Sequence, residues 1–167
     1  MSVAAVQRRH IDPSVAGDVA NGPIVAAVDG SPASRVAIDT AIRLGRELGS
    51  PLTFVYVRRG PASIWGSPIY QRRLTSELIR ARRALNRALN SAERAGITAE
   101  AEILEGKPRR RILEFARDRG ASYVVVGSRG RRLRRSVSSG VARASERPVV
   151  VSRRPGRLAV AGRARLT

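Results

Sequence analysis

Five short runs of apolar residues, separated by four segments with helical periodicity, constrain the fold of this chain more than any other feature of its sequence. The runs begin at Ile24, Leu52, Ile97, Tyr123 and Pro148. Strands that alternate with helices along a chain form a parallel sheet with helices on both of its faces. The sequence therefore predicts an α/β fold built on a five-stranded parallel sheet.

Four of the runs are apolar almost throughout and rich in β-branched residues, as strands buried on both faces are. They occupy residues 24–28, 52–57, 123–126 and 148–152. The remaining run, residues 97–104, alternates apolar and polar residues, which is typical of a strand with one solvated face. We therefore expect this strand at an edge of the sheet.

The segments between the runs carry apolar residues at helical spacing. Ser31 is a good N-cap and is followed by a proline, so a helix should run from there to about Leu48. A long amphipathic helix is predicted for residues 72–95, a third helix after Pro108, and a fourth that opens near Ser136. The residues expected on the inner faces are, helix by helix, Ala37, Ala41, Leu44 and Leu48; Leu74, Leu78, Ala81, Leu85 and Leu89; Ile112, Phe115 and Ala116; and Val137, Val141 and Ala144.

These elements form one predicted domain, residues 23–152, because a chain of 167 residues can bury one substantial core. Residues 1–22 lack periodicity and are predicted to be a flexible arm. Residues 153–167 are basic, carry few signals for regular structure, and are predicted to be a tail.

Composition excludes several kinds of site. The chain has no cysteine, and its single histidine, His10, lies in the arm. We therefore expect no disulfide framework, no thiolate catalysis and no metal of the protein's own. No apolar run is long enough to span a bilayer, and no apolar segment of the signal-peptide type follows Arg8 and Arg9. A cytoplasmic protein without membrane contact is expected.

The net charge points to anionic partners. The chain holds 32 Lys and Arg against 13 Asp and Glu, a formal charge of +19. Arginine binds phosphate or carboxylate with paired hydrogen bonds, which lysine cannot do. Residues 129–135 concentrate this chemistry in the loop between the fourth strand and the last helix. The five arginines of this loop are Arg129, Arg131, Arg132, Arg134 and Arg135.

A ligand crevice is expected where two strands of the predicted sheet end. In open parallel sheets, ligands bind beyond the carboxyl ends of the strands where the strand order reverses. Asp29 follows the first strand, and Gly127 and Gly130 follow the fourth. Glycines allow backbone amides to approach a phosphate closely, and a helix N-terminus attracts it. An acidic residue opposite a glycine loop suits a nucleotide.

Three stretches of the sequence resemble the universal stress protein family: VAAVDGS at residues 25–31, the turn Gly106-x-Pro108, and VVGSRG at residues 125–130. The resemblance covers residues 23–152. It implies a flavodoxin-like (adenine nucleotide alpha hydrolase-like) three-layer sandwich with strand order 3-2-1-4-5. It also implies stress-response proteins that are often homodimers paired through the last strand, with one branch that binds ATP and another that does not.

The ATP-binding branch carries two glycines separated by two residues, then nine residues, then Gly-Ser or Gly-Thr. Read literally, this sequence has Gly127, Gly130 and, after nine residues, Gly140 followed by valine. Counting back from the last strand instead places Ser136-Val-Ser at the start of the last helix, with a loop five residues shorter and Arg135 in place of the glycine. We prefer the shortened loop because it leaves the last helix long enough to form.

By resemblance, one end of the site would hold the adenine and ribose of ATP, and the other end would hold its phosphates. Mg²⁺ would bind only together with the nucleotide. The base end would be lined by Ala27, Val28, Asp29 and Val57. The phosphate end would be lined by Val126, Gly127, Gly130, Ser136, Val137 and Ser138.

Two functions remain open from the residues. The first is adenine nucleotide binding between Asp29 and the loop that holds Gly127 and Gly130. The second is an interaction protein in which the arginines of residues 129–135 hold nucleic acid or an acidic partner. Aromatic residues make up only 4% of the chain, so no platform for stacking bases is evident. No residue is placed as a general base, so we expect at most slow ATP hydrolysis and assign no catalytic residue.

Overall fold

The computed structural model describes residues 6–7, 22–59, 68–128 and 136–153, and it gives side chains for residues 22–59, 71–128 and 136–153. The strands are β1 (Val6–Gln7), β2 (Ile24–Ala27), β3 (Leu52–Arg58), β4 (Ala99–Glu105), β5 (Tyr123–Ser128) and β6 (Val149–Arg153). The helices are α1 (Pro32–Leu48), α2 (Pro68–Arg94), α3 (Pro108–Asp118) and α4 (Val137–Ala144).

The strands form one sheet in the order β1-β6-β5-β2-β3-β4. The strands from β2 to β6 are all parallel, and among themselves they have the order 3-2-1-4-5. The predicted α/β fold and strand order are confirmed, and β4 lies at an edge as expected.

The strand β1 was not predicted. It pairs antiparallel with β6, Val6 opposite Val150 and Gln7 opposite Val149. A strand of two residues is too short to show any periodicity in the sequence. We therefore placed these residues in the arm.

Helices cover both faces of the sheet, and each face has its own apolar core. One core joins β2, β3, β5 and β6 to α1 and α2, and it includes Ile24, Ala26, Val28, Phe54, Val125 and Leu85. The other joins the same strands to α3 and α4, and it includes Val25, Val55, Val124, Val126, Ile112 and Val141. Because successive side chains of a strand point to opposite faces, neighbouring residues of β2 belong to different cores.

The inner faces of the helices follow the prediction only in part. Ala37 and Ala41 of α1 are buried as expected, whereas Leu48 in its last turn is 47% exposed. In α4, Val141 is buried, but Val137 is 43% exposed and Ala144 is exposed. Helical periodicity identifies the face of a helix that can pack on the sheet, but not which turns of the helix lie over the sheet. The end turns of α1 and α4 that hold these residues lie beyond the packed area.

The helix α2 is packed along its second half only. Its buried residues all lie between Ala81 and Ala92, and the described side chains before Ala81 are exposed or half-buried. At 1.5 Å per residue, 27 residues extend over about 40 Å, whereas the seven residues of β3 extend over about 23 Å. The helix is therefore longer than the sheet that it covers.

Gly127 lies inside a strand and not in a loop, which corrects the prediction that the strand stops at residue 126. The pairing continues from Gly127 to Ser152 and from Ser128 to Arg153. A Cβ on Gly127 would lie 2.4 Å from the carbonyl oxygen of Ala33 in the first turn of α1. The glycine is therefore required by the close packing of α1 on β5.

We expect Gly127→Ala to lower the free energy of unfolding by about 1–3 kcal/mol, because backbone atoms of α1 have to move. Gly140→Ala is the matched control: its Cβ would meet Cδ of Arg109 at 2.8 Å, and a flexible arginine can move aside. Since alanine is the better helix former, this control should keep or gain stability, by up to about 1 kcal/mol. Urea denaturation measures both, and a Gly127→Ala protein as stable as the parent would contradict the packing described.

Candidate functional site

The carboxyl ends of β2 and β5 meet at the point where the strand order reverses. Ala27 at the end of β2 pairs with Val126 of β5 on one side and with Val55 of β3 on the other. The turn that contains Asp29 and the end of β5 at Ser128 therefore lie at the same edge of the sheet. This is the edge at which open parallel sheets bind ligands.

Asp29 is held in a tight turn between β2 and α1. Its Oδ1 accepts a hydrogen bond from the N–H of Ser31 at 2.9 Å, and its own N–H donates to Oγ of Ser34 at 3.3 Å. Gly30 has a φ of 77°, a conformation that glycine adopts without strain. Ser31 Oγ in turn accepts from the N–H of Ser34 at 3.2 Å and caps α1, as predicted. The exposed carboxylate thus has a fixed position at the positive end of a helix.

Of the five apolar residues expected at the site, three share one face of the sheet. Ala27, Val57 and Val126 all belong to the core beneath α3 and α4. The side chain of Val28 is buried in the opposite core, against α1 and α2, and its N–H donates to the carbonyl oxygen of Val55 at 2.9 Å. Val28 can therefore meet a ligand at this edge through its backbone only.

The start of α4 carries a cluster of hydroxyl groups. Ser136 is the N-cap, as predicted, and its Oγ accepts from the N–H of Ser139 at 3.2 Å. The same Oγ lies 3.0 Å from Oγ of Ser138, which is buried. Val137 stands exposed beside them. The amides and hydroxyls of this turn form a polar surface at the positive end of α4.

Gly140 lies within α4, where its N–H donates to the carbonyl oxygen of Ser136 at 3.0 Å. It therefore belongs to a helical turn and not to a glycine loop, which agrees with the shortened alignment. Gly130 and the arginines of residues 129–135 lie outside the described residues. The predictions made for this loop, including its contact with nucleic acid or an acidic partner, stay predictions.

Arg109 is a candidate that we did not expect from the sequence. It lies in the first turn of α3, and its side chain rests on Gly140 of α4. The first turns of α3 and α4, both at the carboxyl edge of the sheet, are thereby in contact. The turn Gly106-x-Pro108, which fixes where α3 begins, was the available signal, because the basic residues that follow it must lie at this edge.

The pKa of Tyr56, near the end of β3, depends on the charged groups at this edge. Burial raises the pKa of its hydroxyl, and the negative charges of Glu77 and Asp29 raise it further, while Arg80 acts in the opposite direction. All three charges act at Tyr56, which lies on the side of the sheet that α1 and α2 cover. The first, exposed part of α2 therefore lies close to the turn of Asp29.

Metal and membrane sites find no support in the part of the chain that the structure describes. Within it, no three residues among His, Cys, Asp and Glu are grouped as metal ligands would be. None of the described helices combines the length and the apolar character that crossing a bilayer requires.

A family model described as the universal stress protein family matches residues 20–153. Universal stress protein YxiE of Bacillus subtilis (strain 168) is 30% identical over 144 residues, which are 78% of this chain and 97% of that protein. Universal stress protein MJ0531 of Methanocaldococcus jannaschii is 31% identical over 139 residues, with 79% and 82% covered. The universal stress protein from Archaeoglobus fulgidus in complex with dAMP has a TM-score of 0.64 and 25% identity over 78% of this chain and 97% of that one.

We expect Asp29→Asn and Glu77→Gln each to lower the pKa of Tyr56, because each removes a negative charge that opposes ionisation of the phenol. Glu93→Gln, near the other end of α2, is the control and should leave this pKa unchanged. Tyrosinate absorbance measures it, with the Tyr56→Phe protein subtracted. An equal shift in the control would mean that these charges do not act at Tyr56 specifically.

The same shift predicts a dependence of stability on pH. Because the folded-state pKa of Tyr56 is raised above its ordinary value near 10, folding retains the proton. Its contribution to stability is therefore complete below about pH 10 and is lost as the pH rises through the folded-state pKa. The Tyr56→Phe protein should lose less stability than the parent over this alkaline range in urea denaturation.

Proposed function

This chain belongs to the universal stress protein family, and we propose that it binds an adenine nucleotide, with ATP as the expected ligand, at the carboxyl edge of β2 and β5. One observation carries the proposal: Ala27 pairs with Val126. This register brings Asp29 and the end of β5 to one edge, at which α4 also begins. The complex of the Archaeoglobus fulgidus relative with dAMP supports the choice of ligand class.

The base and the ribose would lie between Asp29 and the apolar residues of the face beneath α3 and α4. Ala27 and Val57 are half-buried there and offer apolar contact to a base. The backbone of Val28 offers hydrogen-bonding groups. The carboxylate of Asp29 accepts a hydrogen bond from Ser31, and carboxylate oxygens accept hydrogen bonds of the kind that the hydroxyl groups of a ribose donate.

The phosphates would lie toward the start of α4. Val126 and Gly127 end the strand side of this region, and Ser136, Val137 and Ser138 form the helix side. The positive end of α4 and the Arg109 guanidinium favour anions, each charge-assisted hydrogen bond contributing roughly 1.5–3 kcal/mol when well formed. We also assign Gly130 and the arginines of residues 129–135 to the phosphates, on sequence alone.

We propose binding without rapid turnover. The described residues of the phosphate end contribute amides, hydroxyls and cations, and the carboxylate of Asp29 is assigned to the ribose. None of these groups is suited to activate water as a general base. Mg²⁺ would enter with the nucleotide. We further propose that residues 23–152 are the nucleotide-binding domain of a cytoplasmic stress-response protein.

We also propose a homodimer that pairs through β6, as the family resemblance implies. The edge of β6 already pairs with β1 at Val149 and Val150. A partner chain at this edge would therefore have to displace β1 or pair beyond it. Charged substitutions at Val149 or Val150 would not test the dimer, because both side chains are buried within the subunit.

Asp29→Ala should abolish the rise in melting temperature that ATP causes, because the carboxylate is lost. The parent should be stabilised by about 2.7 kcal/mol at a ligand concentration of 100 times Kd. Asp29→Asn keeps an oxygen that can accept from Ser31 and is the control for the turn itself. It should retain the melting temperature of the free protein and lose most of the ATP effect. An undiminished shift in both variants would remove Asp29 from the site.

Removing residues 1–21 should strengthen the dimer about tenfold, since the two-residue pairing with β1 no longer competes for the edge of β6. Sedimentation equilibrium gives the dissociation constant of each protein, and circular dichroism checks that the shortened chain is folded. A shortened chain that stays monomeric, or that dimerises more weakly than the parent, would contradict pairing through this edge.

A further inference from the structure

Six arginines form a straight row on the outer surface of α2. At 3.6 residues per turn they fall within a sector of about 100°, and from first to last they extend over about 33 Å. All six are exposed. The arginine row consists of Arg72, Arg73, Arg80, Arg83, Arg87 and Arg94.

The sector contains nothing but polar residues. Between Arg72 and Arg94 its other members are Ser76, Asn90 and Ser91, and the two glutamates of this stretch, Glu77 and Glu93, lie outside it. The opposite side of α2 carries the buried alanines and leucine that pack on the sheet. The row therefore faces solvent with no apolar surface of its own.

The arginines of the row form no ion pair with a described residue, whereas five arginines on other elements do. Among the described residues, Arg58 and Arg119 pair with glutamates of β4, Arg110 and Arg111 pair with Glu114, and Arg117 pairs with Asp118. No ion pair with a described residue involves the row. Arg87 donates instead to the carbonyl oxygen of Arg83 at 3.1 Å, and Arg94 to Oγ of Ser91 at 3.2 Å.

What distinguishes the row from the other unpaired arginines is its length. Among the described residues, arginines without an ion pair also occur on the other helices, but no more than three on any one of them, at Arg35, Arg43 and Arg46 of α1. Only α2 carries six along one sector of its surface. The ion-paired arginines lie on β3, α3 and the turn after it. The groove of about 440 Å³ along α3 likewise contains Glu114 and Glu146 beside its arginines.

We propose that the arginine row binds the phosphate backbone of a nucleic-acid duplex without regard to sequence, independently of the nucleotide site. A row of about 33 Å matches roughly one turn of a duplex that rises 3.4 Å per base pair. Guanidinium groups bind phosphate oxygens in pairs, and the serines and asparagine between them are also suited to phosphate oxygens.

A duplex fits this surface better than the other anionic partners. Single strands are held by aromatic side chains that stack on bases, and the sector holds none between Arg72 and Arg94. Insertion into a membrane surface needs a broad free apolar face. The second half of α2 packs its apolar residues on the sheet, and the exposed Ile79 in its first half lies outside the sector of the row. A continuous line of one sign of charge matches a phosphate backbone more closely than the mixed surface of a folded protein.

The test compares two triple variants of the full chain that lose the same charge. Arg73→Gln/Arg83→Gln/Arg87→Gln removes half of the row, and Arg110→Gln/Arg117→Gln/Arg119→Gln removes three arginines that are ion-paired. The probe is a fluorescent DNA duplex of about two helical turns, roughly 20 base pairs of arbitrary sequence. Anisotropy is measured over a series of salt concentrations.

The parent should bind the duplex with an affinity that falls steeply with salt. The row variant should bind about tenfold more weakly or worse at low salt, and the slope of log K against log salt should shrink by about 2 to 3 units. The paired-arginine variant should stay within about twofold of the parent, since its arginines already have partners. An unchanged melting temperature shows that each variant is folded. This test does not depend on whether the protein binds a nucleotide.

Several results would overturn the proposal. One is the absence of duplex binding by the parent at low salt. Another is an equal loss in both triple variants, which would indicate net charge alone. A third is a loss confined to a protein with Arg131, Arg132, Arg134 and Arg135 replaced by serine. A fourth is a row variant that loses binding to polyglutamate or to anionic vesicles and not to the duplex, which would assign the row to an acidic protein or a membrane.

Discussion

The parallel pairing of β2 with β5 is the constraint on which the rest of the structure depends. It places the first and the fourth of the five parallel strands side by side, so that the chain reverses direction across the sheet at this point. The helix α1 then lies so close to β5 that Gly127 has no room for a side chain beside Ala33. The same contact fixes the turn of Asp29, because Ser31 and Ser34, which hold that turn, belong to the cap and first turn of α1. Packing and site geometry are therefore two consequences of one strand pairing.

The fold could be predicted from the sequence because its strands are buried on both faces and its helices have one apolar face, so that each pattern has a single interpretation. The differences arise where neighbours in space decide the outcome. Gly127 reads as the end of a strand, since glycine is a poor strand former, yet it continues the strand because α1 needs its lack of a side chain. Leu48 and Val137 have the correct periodicity but belong to end turns that the sheet does not reach. The two residues of β1 are too few for any periodic signal.

The residues of the candidate site also fall into those that the sequence could predict and those that depend on neighbours in space. Ser136 was predictable because a cap is a local feature that depends on a serine and the amides three residues later. Asp29 was predictable because it directly follows a recognisable strand. The side chain of Val28 was assigned to the site although it faces the opposite core, since a strand alternates and one residue in two must point away. Arg109 and Tyr56 come to this edge from other elements, and only the assembled layers of α3 on α4 and α2 on β3 bring them there.

The arginines of the protein differ in whether they form ion pairs with acidic residues. An exposed ion pair contributes little to stability, so the paired arginines around α3 change the stability of the protein little in either direction. The arginine row does carry a cost, because like charges one turn apart, as at Arg83 and Arg87, destabilise a helix by about 0.2–0.5 kcal/mol. A glutamate at either position would turn that repulsion into attraction without disturbing the buried face of α2. A helix shaped by stability alone would therefore alternate its charges, and a helix that keeps one sign along its outer surface is arranged for an anion outside the molecule.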